Sequence, residues 1–332
     1  MNNLGNEIEN YLISNSNKIK INSQDIIEGD VFCALQGSNT HGNKYISSAL
    51  SNKAKYVITD RQWDENHNKN IFKVQNTFDF LYRVAIKKRN QFNGNIIAIT
   101  GSVGKTSIKE AIYFILKNKI NVQKNDGNFN NLIGMPFSLA KFNKNIDLGI
   151  LELGMNQKGE IKKLSNICMP DIALITKISN AHIGNFGNLK DIALAKSEIF
   201  CGMNNLGIAI LNDSDPYLSI LKERAKLYGI KQFIFFGKSK KSEISLLKVE
   251  YQKNYKYKVY VNAFGKKVNF LLNNFGEHWI ENSLAAISVL TAIGQDPCHF
   301  SEEIKNFKAI KGRGKILKIT FNKKKMIFNN FF

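Results

Sequence analysis

The stretch Ile96–Ser107, IIAITGSVGKTS, constrains this chain more than any other. A short apolar run, Ile96–Ile99, enters a glycine-rich turn. Apolar residues then recur at Ile108, Ala111, Ile112, Ile115 and Leu116, the spacing of one helix face. Strand, glycine turn and helix together make a phosphate cradle. Gly101 and Gly104 let backbone N–H groups approach phosphate oxygens, and the helix start adds partial positive charge. We therefore read Gly101, Ser102, Val103, Gly104, Lys105, Thr106 and Ser107 as an ATP-phosphate loop. Lys105 can reach the β- and γ-phosphates, and the Thr106 hydroxyl can ligate Mg²⁺. The longer Walker A pattern has one more glycine where Ile99 stands, so this is the shorter T-G-x-x-G-K-[ST] form. Such a loop specifies a nucleotide and not a reaction, because kinases, GTPases and ligases all use it.

The rest of the chain organises around that loop. With 332 residues it is long enough for two domains or a little more. Residues 1–93 predict a small α/β unit, with strands at Asp30–Leu35 and Tyr56–Thr59 and helices at Tyr45–Asn52 and Phe78–Phe92. A turn at Asn93–Asn95 closes it. Residues 94–312 predict a larger α/β domain. Leu148–Leu153, Ile172–Thr176 and Ile208–Leu211 are apolar runs suited to buried parallel strands, and Ala193–Phe200 and Ile280–Ile293 read as helices. Alternation over 245–272 suggests an antiparallel appendage. The fold class is thus a small α/β domain plus a mostly parallel sheet domain flanked by helices. The segment 313–332 does not read as a finished domain.

Charge and cysteine usage exclude other classes. Lys and Arg number 47 against 27 Asp and Glu, for a net charge of +20, which raises the question of nucleic acid. The lysines are spread along the chain rather than gathered on one helix, so no nucleic-acid partner is expected. The positive field suits an anionic nucleotide substrate. The four cysteines, Cys33, Cys168, Cys201 and Cys298, lack metal-binding spacing, and a reducing cytoplasm fits them. No apolar run is long enough to span a bilayer, and MNNLGNEIEN does not predict a secretory signal.

Two single residues have a physical reading of their own. Glu152 ends the run LGILE at the expected carboxyl edge of the sheet, where α/β folds bind ligands. A carboxylate there suits Mg²⁺, and equally a solvated strand-end acid. His182 follows a strand and precedes Gly184; a lone histidine at such an edge is commonly a structural hydrogen-bonding group.

Four further segments follow the phosphate loop in order: Asp126–Pro136 (DGNFNNLIGMP), Leu151–Ile161 (LELGMNQKGEI), Asn180–Phe200 (NAHIGNFGNLKDIALAKSEIF) and Asn274–Gly294 (NFGEHWIENSLAAISVLTAIG). Together the five segments closely resemble the Mur ligases of peptidoglycan synthesis, over about residues 20 to 317. The G-S-V-G-K-T loop and the G-N-x-N-N-x-x-G-x-P segment favour the branch that joins D-alanyl-D-alanine to UDP-N-acetylmuramoyl-tripeptide.

That resemblance implies roles. It turns His182 into part of a second metal site. It makes Lys196, otherwise a surface lysine, a carbamylated ligand for Mg²⁺ beside Thr106 and Glu152. It assigns Asn282 and His278 to the nucleotide, although His278-Trp279 stands where the family commonly reads His-Asn. It gives Arg313 to the γ-phosphate, so Lys105, Lys196 and Arg313 become the catalytic candidates. The pattern Asp30–Gly37 with Thr40–Gly42 resembles the UDP-sugar domain. Ser23 begins a uracil segment that here reads N-S-Q-D without the usual arginine. Asn128, Asn130 and Asn131 become candidates for the sugar or peptide, and are also ordinary turn residues.

The implied reaction is amide formation in two stages. ATP phosphorylates the substrate carboxylate, and the incoming amine then displaces phosphate. Family members carry a third domain that closes over ATP, announced by a D-x-S-Y-N-A-N-P-like segment. Here KGRGKILKIT is followed by FNKKKMIFNNFF, so 313–332 is expected to be the hinge and a truncated remnant of that third domain. Three expectations therefore stand together: a monomeric D-alanyl-D-alanine-adding ligase, a remnant that binds nucleotide without ligating, and a related ligase adding another residue.

Overall fold

In a computed structural model of the chain, residues 3–63, 69–180, 183–252, 256–273, 276–307, 316–321 and 324–329 are described. From the amino end come helix α1 (Asn3–Ser14), strands β1 (Ile19–Lys20) and β2 (Val31–Cys33), and helix α2 (Ile46–Ser51). Strands β3 (Tyr56–Thr59) and β4 (Ile71–Lys73) and helix α3 (Thr77–Arg89) follow. Next are β5 (Asn95–Thr100), α4 (Lys105–Leu116), β6 (Val122–Lys124), α5 (Gly134–Lys141), β7 (Leu148–Glu152) and α6 (Glu160–Cys168). The chain continues through β8 (Ile172–Ile175), α7 (Ile183–Phe186), α8 (Leu189–Ser197), β9 (Ile208–Asn212), α9 (Leu218–Leu227) and β10 (Gln232–Gly237). It finishes with β11 (Ile244–Gln252), β12 (Lys256–Ala263), β13 (Lys266–Leu272), α10 (His278–Ala292), α11 (Cys298–Glu303) and the antiparallel pair β14 (Ile316–Phe321) and β15 (Lys324–Asn329).

Backbone packing divides the chain into two compact units. One gathers residues up to Gly94 with Phe129–Ile146; the other holds Asn95–Asn128 and the chain from Asp147 onward. In the first unit, β1 to β4 pair in parallel in chain order. Helix α3 starts where the Asn76 side chain accepts N–H bonds from Phe78 and Asp79, and it ends on Lys87, Lys88 and Arg89, which suits the helix dipole. Helix α5 packs on α3, and the Tyr82 hydroxyl donates to the Leu132 carbonyl at 2.9 Å.

The second unit is built on a nine-stranded sheet of order β13-β12-β11-β10-β9-β8-β5-β7-β6. Strands β5 to β10 run parallel, and β11, β12 and β13 form an antiparallel edge. This is the predicted fold class. Ile96–Thr100 is buried throughout, which is why a continuous apolar run encodes a strand here. Along β12, by contrast, Tyr257, Val259, Val261 and Ala263 are buried in alternation, because only one face is covered. Helix α10 packs on α4 and across β8 to β12; α8 packs on α9, and α6 on β5. Among the described residues no helix is long and apolar enough to cross a membrane.

Strand β5 lies between β7 and β8. The connection leaving β5 runs by way of α4 to β6, and the one leaving β8 runs to β9, so these two neighbours send their chains to opposite sides of the sheet. Open α/β sheets bind ligands at the carboxyl ends of the strands beside such a reversal. The sequence-predicted helix Ala193–Phe200 differs in detail. Helix α8 ends at Ser197 and tightens into a 3₁₀ turn over Glu198–Gly202. There the Glu198 carboxylate turns away to accept backbone N–H bonds from Gly159 and Lys162 at the start of α6.

Candidate functional site

The phosphate loop is formed by a short path that only glycine can follow at two points. Gly101 has φ of 147°, and a Cβ there would lie 1.8 Å from the Thr176 hydroxyl oxygen. Gly104 has φ of 86°, and a Cβ there would lie 2.7 Å from Asn282 Oδ1. Both positions need left-handed backbone and both touch a neighbour closely. Between them the loop is braced by the chain leaving β8. Ser102 N–H donates to the Lys177 carbonyl at 2.8 Å, and the Thr176 hydroxyl donates to the Val103 carbonyl at 2.6 Å. Ser102 Oγ donates to the Ser179 carbonyl and accepts the Ser179 N–H, both at 3.0 Å.

Helix α4 opens directly behind Gly104, whose lack of a side chain leaves no side-chain cap on the first turn. Leading N–H groups of that kind are the donors an anion takes up. Lys105 Nζ folds back to the Gly101 carbonyl at 2.7 Å. Ser107 is buried behind the loop, while Val103 is exposed.

Thr106 meets Glu152. The hydroxyl donates to Glu152 Oε2 at 2.7 Å, and both side chains are buried. The β5–β7 register, with Ile99 opposite Glu152, brings the end of β7 level with the loop. The Glu152 backbone is pinned by Asn125: its N–H donates to Asn125 Oδ1 at 2.9 Å, and Asn125 Nδ2 donates to its carbonyl at 3.2 Å. Lys109 stands behind, with Nζ 3.5 Å from Glu152 Oε2. Sequence reasoning missed Asn125 and Lys109. The signal for Lys109 was its place three residues after Thr106, which puts both on one helix face.

Lys196, in the last turn of α8, is 1% exposed. Burial, with the Lys105 charge adding to it, pushes its pKa from the usual 10.5 down to about 7. Glu198, two residues on, anchors the chain just beyond it, through bonds of 3.0 Å from the Gly159 N–H and 3.2 Å from the Lys162 N–H. Burial raises the Glu198 carboxyl above its ordinary value.

Asn282 and His278 lie on the first turns of α10. Asn282 is buried against Gly104 and thus belongs to the phosphate loop's own surroundings. His278 lies exposed at the start of the helix, and the partial desolvation of its ring lowers its pKa below the ordinary value. Trp279 turns the other way and is buried against Phe307, the rings 5.7 Å apart at 61°. His182 and Arg313 lie outside the described residues. Among the described residues no cluster of three His, Cys, Asp or Glu side chains is placed to hold a metal. The oxygen pair Thr106–Glu152 is what the described residues bring together.

In the first unit, Ser23 is buried at the start of a 3₁₀ turn, its carbonyl accepting from Asn52 Nδ2 at 2.9 Å. His41 Nδ1 accepts the Asn43 N–H at 3.1 Å, so Nε2 carries the proton and donates to Asp60 at 2.9 Å. That pair secures the Thr40–Gly42 segment. Asn131 Oδ1 accepts N–H bonds from Ile133 and Gly134, at 3.1 and 2.8 Å, and so shapes the turn into α5. Asn130 is half-buried in the same unit; Asn128 is exposed and belongs to the second unit.

Comparison with known proteins fits this geometry. The family model "Mur ligase middle domain" matches residues 99–290. A UDP-N-acetylmuramoyl-tripeptide–D-alanyl-D-alanine ligase of Rickettsia prowazekii (strain Madrid E) is 36% identical over 319 residues, covering 95% of this chain and 70% of that protein. The ligase of the same description from Escherichia coli (strain K12) is 29% identical, over 89% of this chain and 64% of its own. Among solved structures, MurF from Acinetobacter baumannii superposes with a TM-score of 0.84 at 26% identity, over 95% of this chain and 70% of that one. MurF ligase from Thermotoga maritima in complex with ADP gives a TM-score of 0.80 at 29% identity, over 92% and 69%. The chain thus spans about 58 to 70% of the length of the curated relatives and MurF structures it matches.

Proposed function

This chain belongs to the Mur ligase family, and from that premise we propose that it is an ATP-dependent amide ligase joining D-alanyl-D-alanine to UDP-N-acetylmuramoyl-tripeptide. The observation that carries the nucleotide half of this reading is the phosphate loop joined to the buried Thr106–Glu152 pair at 2.7 Å. The substrate half rests on the likeness to relatives of that description.

In this reading the N–H groups of the 101–107 loop bind the ATP phosphates. Lys105 leaves the Gly101 carbonyl to neutralise charge on the transferring phosphoryl group. Mg²⁺ fits the donor chemistry: a hydroxyl and a carboxylate are the hard oxygen ligands it prefers, and Thr106 and Glu152 already converge. Thr106 and Glu152 would hold it, with His182 and Lys196 assigned by the family likeness. Bound there, it would supply positive charge to the phosphates.

Lys196 has the chemistry of a carbamylation site. A pKa of about 7 leaves much of its amine neutral near neutral pH. The nitrogen lone pair would add to the carbon of CO₂ and the amine would release a proton to water. An anionic oxygen donor replaces a cation. Asn282 borders the loop and His278 lies one turn earlier on α10, so both are assigned to nucleotide contact. Arg313 is assigned to the γ-phosphate. Ser23, Asn128, Asn130 and Asn131 are assigned to the UDP-sugar peptide. Residues 1–93 would hold the UDP-sugar, 94–312 ATP, and 313–332 a hinge.

The substrate carboxylate attacks the γ-phosphorus, ADP leaves, and the amine displaces phosphate from the resulting acyl phosphate. Positioning and charge neutralisation do the chemistry. We assign the protein to the cytoplasm as a monomer. Phosphate release measured with ATP, UDP-N-acetylmuramoyl-tripeptide and D-alanyl-D-alanine tests the reading. Turnover requiring both co-substrates supports it. Nucleotide binding without turnover confines the chain to binding, and turnover with another amine reassigns the incoming substrate.

A further inference from the structure

Lys109 is a fully buried lysine with a complete set of oxygen partners. Its side chain is 0% exposed. Nζ donates to the Asn125 carbonyl at 2.8 Å and to the Gly127 carbonyl at 3.1 Å, and lies 3.5 Å from Glu152 Oε2. An ammonium has three N–H donors, and here three oxygens surround it. Removing such a charge from water is costly unless it is paired in this way.

The third partner makes this more than a buried ion pair. Glu152 Oε2 is the same oxygen that accepts the Thr106 hydroxyl. Lys109 and Thr106 therefore grip one carboxylate oxygen from consecutive turns of α4. Asn125 fixes the backbone of Glu152 at the same time, and the Asn125 carbonyl is itself held by Lys109. Behind Lys109, Glu110 lies 3.8 Å from its Nζ, and Lys124 lies 2.9 Å from Glu110. The charges alternate from Lys124 to Glu152, so the row is locked from the helix side.

We propose that Lys109 is a positioning residue that holds the Glu152 carboxylate beside Thr106 and thereby sets how strongly a divalent cation strengthens nucleotide binding. The proposal rests on the nucleotide-site reading above. Lys109 acts through Glu152 and touches neither nucleotide nor cation. Groups behind a metal ligand commonly control metal affinity by about 10- to 100-fold.

The test is calorimetric titration of ADP into the full chain, once with Mg²⁺ and once with EDTA. The wild type is expected to bind ADP more tightly with Mg²⁺. Lys109→Met, close in length but uncharged, is expected to lose about tenfold or more of that gain, with ADP affinity in EDTA unchanged. Lys109→Gln retains N–H donors toward the 125 and 127 carbonyls and is expected to lose the gain as well. In a Glu152→Gln background, Lys109→Met is expected to add no further loss, because both changes break one link. Equal losses with and without Mg²⁺, or additive losses in the double variant, overturn the proposal. Failure of both Lys109 variants to fold gives the residue a purely structural role and overturns it too. A wild type that binds ADP without any Mg²⁺ effect overturns this inference and leaves the phosphate loop intact. A wild type that binds no ADP overturns the nucleotide reading itself.

Discussion

The Thr106 hydroxyl donates to the Glu152 carboxylate at 2.7 Å across 46 residues of sequence, and both side chains are buried. A hydroxyl from the first turn of a helix and an acid from the tip of the adjacent strand meet because β5 and β7 are neighbours in register. Thr106→Val keeps the shape and removes the donor. It should lower stability by about 1–3 kcal/mol, the cost of weakening a buried carboxylate's hydrogen bonding. It should also abolish the Mg²⁺ gain in ADP affinity. Urea unfolding and calorimetry check the two effects; a variant with unchanged midpoint and unchanged Mg²⁺ response would sink the role given to the pair.

Gly101→Ala tests the path of the phosphate loop. The added Cβ would fall 1.8 Å from the Thr176 oxygen, at φ of 147°. The loop must shift or Thr176 must release the Val103 carbonyl. Expected are a stability loss of about 1–3 kcal/mol and loss of ADP binding, while the Lys88 region of the first unit keeps its hydrogen-exchange protection. Wild-type ADP affinity in this variant would contradict the cradle.

Lys196 should take up CO₂ in a pH-dependent way. Its amine loses its proton through about pH 7, so the reactive neutral form grows as pH rises through that value. With ¹³C-labelled bicarbonate, a carbamate carbon signal is expected in the wild type, weaker at pH 6 than at pH 8, and absent in Lys196→Arg. A signal that persists in the arginine variant would place the modification elsewhere.

Lys88 should make stability depend on pH. It is 1% exposed, and burial, followed by the charge of Lys144, lowers its pKa from 10.5 to about 8. Between those values the unfolded chain binds more protons than the folded one, so stability rises with pH, by at most about 1.4 kcal/mol per pH unit. Below pH 8 the cost of burying the charge is fully present. Lys88→Met is expected to be more stable than wild type at pH 7, with the advantage shrinking toward pH 10. Urea midpoints at pH 7, 8, 9 and 10 measure it, and a constant difference would rule the linkage out.

Much of the fold is legible locally. The strands β5, β7, β8 and β9 read directly because a strand buried on both faces must be continuously apolar. The antiparallel edge reads because one covered face demands alternation. Helix α4 begins at Lys105, ahead of its apolar stripe, because Thr106 and Ser107 are buried polar residues that periodicity does not count. Two things leave no local trace. Phe129–Ile146 packs with the first unit although it lies within the second unit's sequence. Glu198 ends α8 by capping α6, a partner 36 to 39 residues away.

The sequence by itself determined the glycine turn between β5 and α4, the parallel-sheet class and the family, because glycine placement, apolar periodicity and ordered motifs are local facts about the chain. Tertiary structure alone decided that Lys109 and Asn125 join Thr106 and Glu152 in one buried hydrogen-bonded cluster, and that Lys196 is buried. Those are consequences of strand order and register, which bring distant residues within hydrogen-bond range. Burial then gives an ordinary lysine an amine that releases its proton near neutral pH.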